Sequence, residues 1–289
     1  MAFDDMIQIS LSEHDKLNTP ARVGPDAPGL PRLSLKISAY ALHKEGTDMS
    51  LYEDAFAFDE AILRAAVADG ASDAFEAGTW ARLLVATFVH APPSAEPDLF
   101  FEWLQGPARA WQATLDWERL PWYAEQKARD VGGLATLLGF RLERAADAGR
   151  NPGTAQWSAL AVGDACLLHV RKHNVLIRFP LESVSAFNAT PELLSTRLEH
   201  DRALLKEDAL RHLSGSCQAG DLFLLATDAM AEWLYSLADL DELKLGWESV
   251  SNLIEEDFDT LIRELRTQSI IRNDDVTLLV VRVVEADAS

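Results

Sequence analysis

Short, nearly unbroken apolar runs that stop on an acid constrain this chain more than any other feature. Residues Ala61 to Ala68 (AILRAAVA) are apolar apart from Arg64 and run straight into Asp69–Gly70. A run of this length suits a strand buried on both faces, although a buried helix would have the same composition. Taken singly, Asp69–Gly70 reads as an ordinary turn after a strand. The arrangement recurs, however: LFLLAT (Leu222–Thr227) ends on Asp228, SALAV (Ser158–Val162) ends on Gly163–Asp164, and VTLLVVRVV (Val276–Val284) starts after Asp274–Asp275. Antiparallel neighbours bring the end of one strand beside the start of the next, so such acids gather. Carboxylates held that closely repel, and they stay ionised only with cations among them. An all-oxygen ligand set selects hard ions such as Mg²⁺ or Mn²⁺ over zinc. The acids therefore read as a metal cluster.

A formal charge of −20 argues against nucleic acid or an anionic membrane as the main partner, because both require basic surface. The same charge favours accumulation of divalent cations. With 289 residues, 48% of them hydrophobic, the chain can bury a large core, and no shift of composition divides it. Cys166 in an apolar strand and Cys217 in an expected loop are the only cysteines, which excludes a disulfide framework or a cysteine-rich metal site. No signal peptide, lipidation motif or membrane-length apolar stretch is legible, so the expectation is a soluble, cytoplasmic protein.

Taken in order, residues 1–32 form a proline-rich N-terminal arm, and residues 33–289 form a single domain. Leu33–His43 reads as a strand; Glu53–Asp54 then opens AFAF, which turns at Asp59–Glu60 into the run described above. From Ala74 to Pro92 the apolar spacing is helical. Pro97 to Arg129 continues as helix with a tryptophan stripe (Trp103, Trp111, Trp117, Trp122) that fits packing between helix and sheet. Gly132–Gly133 breaks the helix ahead of strands at Leu134–Leu142, Trp157–Val162, Ala165–Arg171 and Val175–Phe179. Ser183–Gly220 is the least regular region, a candidate surface flap with a helix start at Thr190–Glu192. Strand Leu222–Thr227, helices at Met230–Leu237 and Phe258–Gln268, and strand Val276–Val284 complete an α+β layered sandwich rather than a doubly wound sheet.

Six short motifs then stand in a recognisable order: the acidic pair Glu53–Asp54, Asp69–Gly70, GGLATLLGF at Gly132–Phe140, Gly163–Asp164, Thr227–Asp228 and DDVT at Asp274–Thr277. In this order, across roughly Lys44 to Val284, the chain resembles the metal-dependent serine/threonine protein phosphatases of type 2C (the PPM family), in their bacterial branch. The resemblance implies a four-layer sandwich of two stacked antiparallel β-sheets flanked by α-helices. It implies two Mn²⁺ or Mg²⁺ ions bridged by Asp69, with Glu53 and the Gly70 carbonyl on one ion and Asp228 and Asp274 on the other. Asp54 would orient waters, and Asp164 with Glu232 could hold a third ion. The implied reaction is hydrolysis of phosphoserine and phosphothreonine in proteins by in-line attack of a metal-bridging hydroxide. The implied partner is a phosphoprotein, a Ser/Thr kinase or its target.

Several positions depart from the family pattern. Ala71-Ser72-Asp73 replaces the glycines that usually follow Asp-Gly, and Ala71 stands where eukaryotic members often carry a histidine general acid. Ala229 replaces a glycine. Met49 stands five positions before Asp54, where many members carry a phosphate-binding arginine; Lys44 is a nearby cation at a different spacing. Two alternatives stay open: a catalytically weak or inactive type 2C-like interaction or sensor module, and a metal-dependent hydrolase of another phosphate monoester.

Overall fold

A computed structural model describes residues 33–143, 153–172, 174–187, 190–205, 208–239 and 255–286. The N-terminal arm expected over residues 1–32 lies outside them. Two five-stranded antiparallel sheets form the centre. One has the order β1 (Leu33–Leu42), β12 (Val276–Glu285), β11 (Leu222–Ala226), β7 (Cys166–Arg171), β8 (Asn174–Phe179). The other has the order β10 (Arg211–Gln218), β6 (Thr154–Val162), β5 (Leu137–Glu143), β3 (Arg64–Ala68), β2 (Ala55–Asp59). A two-stranded ribbon joins β4 (Leu134–Ala135) to β9 (Leu194–Ser195).

The apolar runs are unbroken because both faces of each central strand are covered. Along β12, Leu279, Val281 and Val283 face the opposite sheet, while Val276, Leu278 and Val280 face helices. Strand β3 divides the same way: Ala65 and Val67 point between the sheets, Ala66 and Ala68 outward. Helices α1 (Ala77–His90) and α2 (Pro97–Thr114) cover the β3 sheet through Trp80, Leu84, Phe88, Phe100 and Trp111. Helices α5 (Asp228–Asp239) and α6 (Glu255–Thr267) cover the β12 sheet through Met230, Leu234, Phe258 and Ile262. The result is the expected α+β, four-layer sandwich. Helix and sheet approach closely at Gly139, where an added Cβ would sit 2.2 Å from the Phe88 ring.

Some local expectations are corrected. The strand after the first hairpin begins at Arg64, not Ala61, because residues 60–63 form the turn and Leu63 takes a left-handed φ of 61°. Residues 190–192 are not helical; the helix of this region is α4 (Leu198–Leu204), docked by Asp201, whose Oδ1 accepts from the Ser195 amide at 2.9 Å. Cys217 lies buried in β10 rather than in a loop. Trp122, at the start of α3 (Trp122–Asp130), is 77% exposed and no part of the core. No helix among the described residues is long and apolar enough to cross a membrane.

Candidate active site

The acids meet because the two sheets end together. Pairing of Ala55 with Ala68 sets Asp54 and Asp69 at adjacent ends of β2 and β3. In the other sheet, Ala226 pairs with Leu278 on one side and Cys166 on the other. Asp228, Asp274 and Asp164 therefore sit at neighbouring ends of β11, β12 and β7.

Hydrogen bonds across the sandwich lock these ends in place. Asp54 Oδ2, from the β2 side, accepts from Thr227 Oγ1 at 2.7 Å and Thr277 Oγ1 at 2.9 Å, both in the other sheet. The Tyr52 hydroxyl bonds to Thr277 Oγ1 as well. Asp275 is a backbone pin: its Oδ1 accepts the Lys44 amide at 2.8 Å and its Oδ2 the Glu53 amide at 2.7 Å. Asp69 is fixed through its own backbone, whose amide donates to the Thr136 hydroxyl oxygen at 2.9 Å and whose carbonyl accepts from the Thr136 amide at 2.8 Å. Gly70 must be glycine for space, since a Cβ there would lie 2.7 Å from the Glu53 carbonyl oxygen and 2.9 Å from the Ala77 carbonyl carbon. Gly163 turns β6 into β7 at φ +94°, a conformation that costs glycine little.

Burial dominates the electrostatics, and repulsion among the acids adds to it. Burial, and then the charges of Asp54, Asp228, Asp164 and Asp274, hold the Asp69 carboxyl well above the ordinary carboxylate range. Burial raises Asp54 strongly as well, against the two threonine hydroxyls that favour its anion. Asp164 is 4% exposed, and neither of its carboxylate oxygens has a hydrogen-bond partner. Its pKa is pushed up to about 7 by burial and by Asp228. Asp274 is raised by burial and Asp228, and its Oδ1 accepts the Asp275 amide at 2.9 Å.

Two side-chain cations lean on this cluster. Lys44 Nζ lies 3.4 Å from Glu53 Oε2 and 3.1 Å from Ser72 Oγ. Burial alone would lower the pKa of this ammonium, but Glu53 and Asp275 outweigh it and raise it. Arg272 Nη2 donates to Asp228 Oδ2 at 2.8 Å while its Nε stands 3.3 Å from Glu232 Oε2. Asp228 Oδ1 accepts the Ala229 amide.

The structure thus brings Asp54, Asp69, Asp164, Asp228 and Asp274 to one end of the sandwich, with Glu53 and Gly70 beside Asp69 and Glu232 beside Asp228. As placed, no three acid, histidine or cysteine side chains among the described residues are grouped so as to hold a metal ion. Glu53 is tied to Ser72 and Lys44, Asp228 to Arg272, and Asp274 to a backbone amide. The donor set still suits a hard cation: it is all oxygen, it is mutually repulsive, and Asp164 offers two buried oxygens with no protein partner. Sequence reasoning gave no role to Asp275, Thr227, Thr277 or Arg272. All lie in or next to motifs already singled out (Thr227–Asp228 and DDVT), so their nearness to the acids was the available signal.

The fold is that of the type 2C serine/threonine phosphatases. The catalytic domain of the serine/threonine protein phosphatase PstP in complex with two manganese ions superposes with a TM-score of 0.51 at 16% identity, over 88% of this chain and 100% of that one. The Mycobacterium tuberculosis serine/threonine phosphatase PstP/Ppp gives 0.51 at 15% identity, again over 88% and 100%. The photosystem II phosphatase PBCP gives 0.51 at 17% identity, over 86% and 98%. No family model matches the sequence, and no curated protein matches it. At these identities the likeness is one of fold.

Proposed function

We propose that this chain is a metal-dependent phosphatase acting on phosphoserine and phosphothreonine in proteins. The observation that carries the reading is the position of Asp69, at a strand end where four aspartates from both sheets press on it. Glu53, Asp69, the Gly70 carbonyl, Asp228 and Asp274 would hold Mn²⁺ or Mg²⁺. Ions bound there supply Lewis acidity toward a phosphoryl oxygen and toward water. Asp54, buried and oriented by Thr227 and Thr277, presents a fixed acceptor beside Asp69. Asp275 keeps Glu53 in register with the start of β12. Lys44, with a partly exposed side chain, offers a phosphate group the cation that Met49 cannot. The substrate is a phosphoprotein, a Ser/Thr kinase or its target, in the cytoplasm.

Turnover of phosphoserine and phosphothreonine peptides, beside para-nitrophenyl phosphate, tests this with Mn²⁺ present and after chelation. Peptide hydrolysis that requires Mn²⁺ or Mg²⁺ is expected. Robust activity after complete chelation would refute the metal mechanism. Turnover of the small ester alone would instead indicate a hydrolase of another phosphate monoester. The absence of any turnover would indicate a non-catalytic module on this fold, a reading that the Lys44–Glu53 and Arg272–Asp228 ion pairs favour.

A further inference from the structure

Arg272 lies where a cation is needed and where no sequence motif placed one. Asp228 and Glu232 stand four residues apart in α5, one turn along the same face. The Arg272 guanidinium spans them, with Nη2 2.8 Å from Asp228 Oδ2 and Nε 3.3 Å from Glu232 Oε2. A third acid feels the same charges: Asp164 is 4% exposed, both its carboxylate oxygens are unpartnered, and Asp228 bears on it most among the neighbouring charges while Arg272 offsets it. A guanidinium is always charged and its fork fits two carboxylates at once. It is therefore a permanent counter-charge for this corner of the cluster.

We infer that Arg272 acts as the resident cation of the Asp164–Asp228–Glu232 corner, so that the protein takes two divalent ions and a third is excluded by the guanidinium. The inference rests on the metal-centre reading above and specifies how many ions that centre admits. Two effects follow from Coulomb's law. The guanidinium repels any ion held by Asp228, which weakens that ion's binding. It also withholds Asp228 and Glu232 from an ion that Asp164 would otherwise share. A merely structural ion pair would behave differently, since breaking it would loosen Asp228 and weaken metal binding.

The test counts bound Mn²⁺ by equilibrium dialysis with metal analysis on the full chain, and follows melting with and without Mn²⁺. Wild type should hold two equivalents. Arg272→Met should hold three, with tighter binding overall, a lower melting temperature in chelator and a larger Mn²⁺-induced rise. Arg272→Lys should return the count to two. Arg272→Met combined with Asp164→Asn should lose the third equivalent, which separates a built site from ions attracted by net charge. Asp164→Asn alone should leave the count at two, and this arm decides the matter if Arg272→Met does not fold. Two equivalents with unchanged or weaker affinity in Arg272→Met would overturn the inference, as would loss of an equivalent in Asp164→Asn alone. Wild type that binds no Mn²⁺ would overturn the metal-centre reading itself, and this inference with it.

Discussion

Replacing Asp164 with asparagine should stabilise the chelated protein at alkaline pH and not at acid pH. The carboxyl is carried from an ordinary value of 3.8 to about 7 by burial and then by Asp228. A carboxyl raised in the folded state favours folding while it is protonated. That contribution is complete below the unfolded pKa of about 4 and is lost as pH rises through about 7. A tenfold change in proton affinity is worth about 1.4 kcal/mol, so the ionised group costs the metal-free fold roughly 4 kcal/mol at pH 8. Asparagine removes the charge but leaves a buried amide without partners, which costs about 1–3 kcal/mol. The net gain at pH 8 is then about 2 kcal/mol, or roughly 4–8 °C in melting temperature for a domain of this size. At about pH 5 the wild-type carboxyl is largely protonated, and the gain should vanish or reverse. Thermal melts of both proteins in EDTA across this range measure the difference directly. A difference that stays constant with pH, or is larger at the acid end, would refute the argument.

Asp69→Asn should raise the melting temperature in chelator, because four neighbouring acids lose a like charge, and should abolish most of the Mn²⁺-induced rise. Equal Mn²⁺-induced shifts in the variant and wild type would remove Asp69 from the centre. Gly70→Ala places a Cβ 2.7 Å from the Glu53 carbonyl oxygen and 2.9 Å from the Ala77 carbonyl carbon, both backbone atoms that cannot swing away. It should cost about 2–3 kcal/mol in urea unfolding; wild-type stability would show that the backbone at Glu53 and Ala77 can give way to a Cβ at this position.

The central strands were legible because burial on both faces leaves a compositional mark. Strand β12 alternates between two cores residue by residue, so polar side chains are rejected at nearly every position. Strand β10 was not legible for the opposite reason. It is an edge strand in which only Cys217 is buried, and Arg211, His212, Ser214 and Ser216 read as loop. Residues 60–63 misled in another way: Leu63 is 4% exposed although it lies in a turn, so its apolar character extended the apparent strand past its true start. Burial is what an apolar run reports, and a buried turn reports the same thing.

The acids themselves were legible as an ordered set, each at a strand tip, but the groups that hold them were not. In the sequence Lys44 is only a nearby cation, at a spacing from Asp54 that differs from that of the family arginine. Its place is set instead by Asp275, 231 positions away, which accepts the Lys44 amide and the Glu53 amide with its two oxygens. The bond from Arg272 to Asp228 likewise spans 44 positions and follows from α5 returning beside the start of β12. Spacing along the chain carries no information about such pairs; only strand order does. The same bonds bear on function. Asp54 is oriented by threonines of the opposite sheet and Glu53 by Asp275, so hydrogen bonds within the chain register the two halves of the site. Bonds of this kind hold like charges together at one end of the sandwich, and on the metal-centre reading proposed above a bound cation would relieve that repulsion.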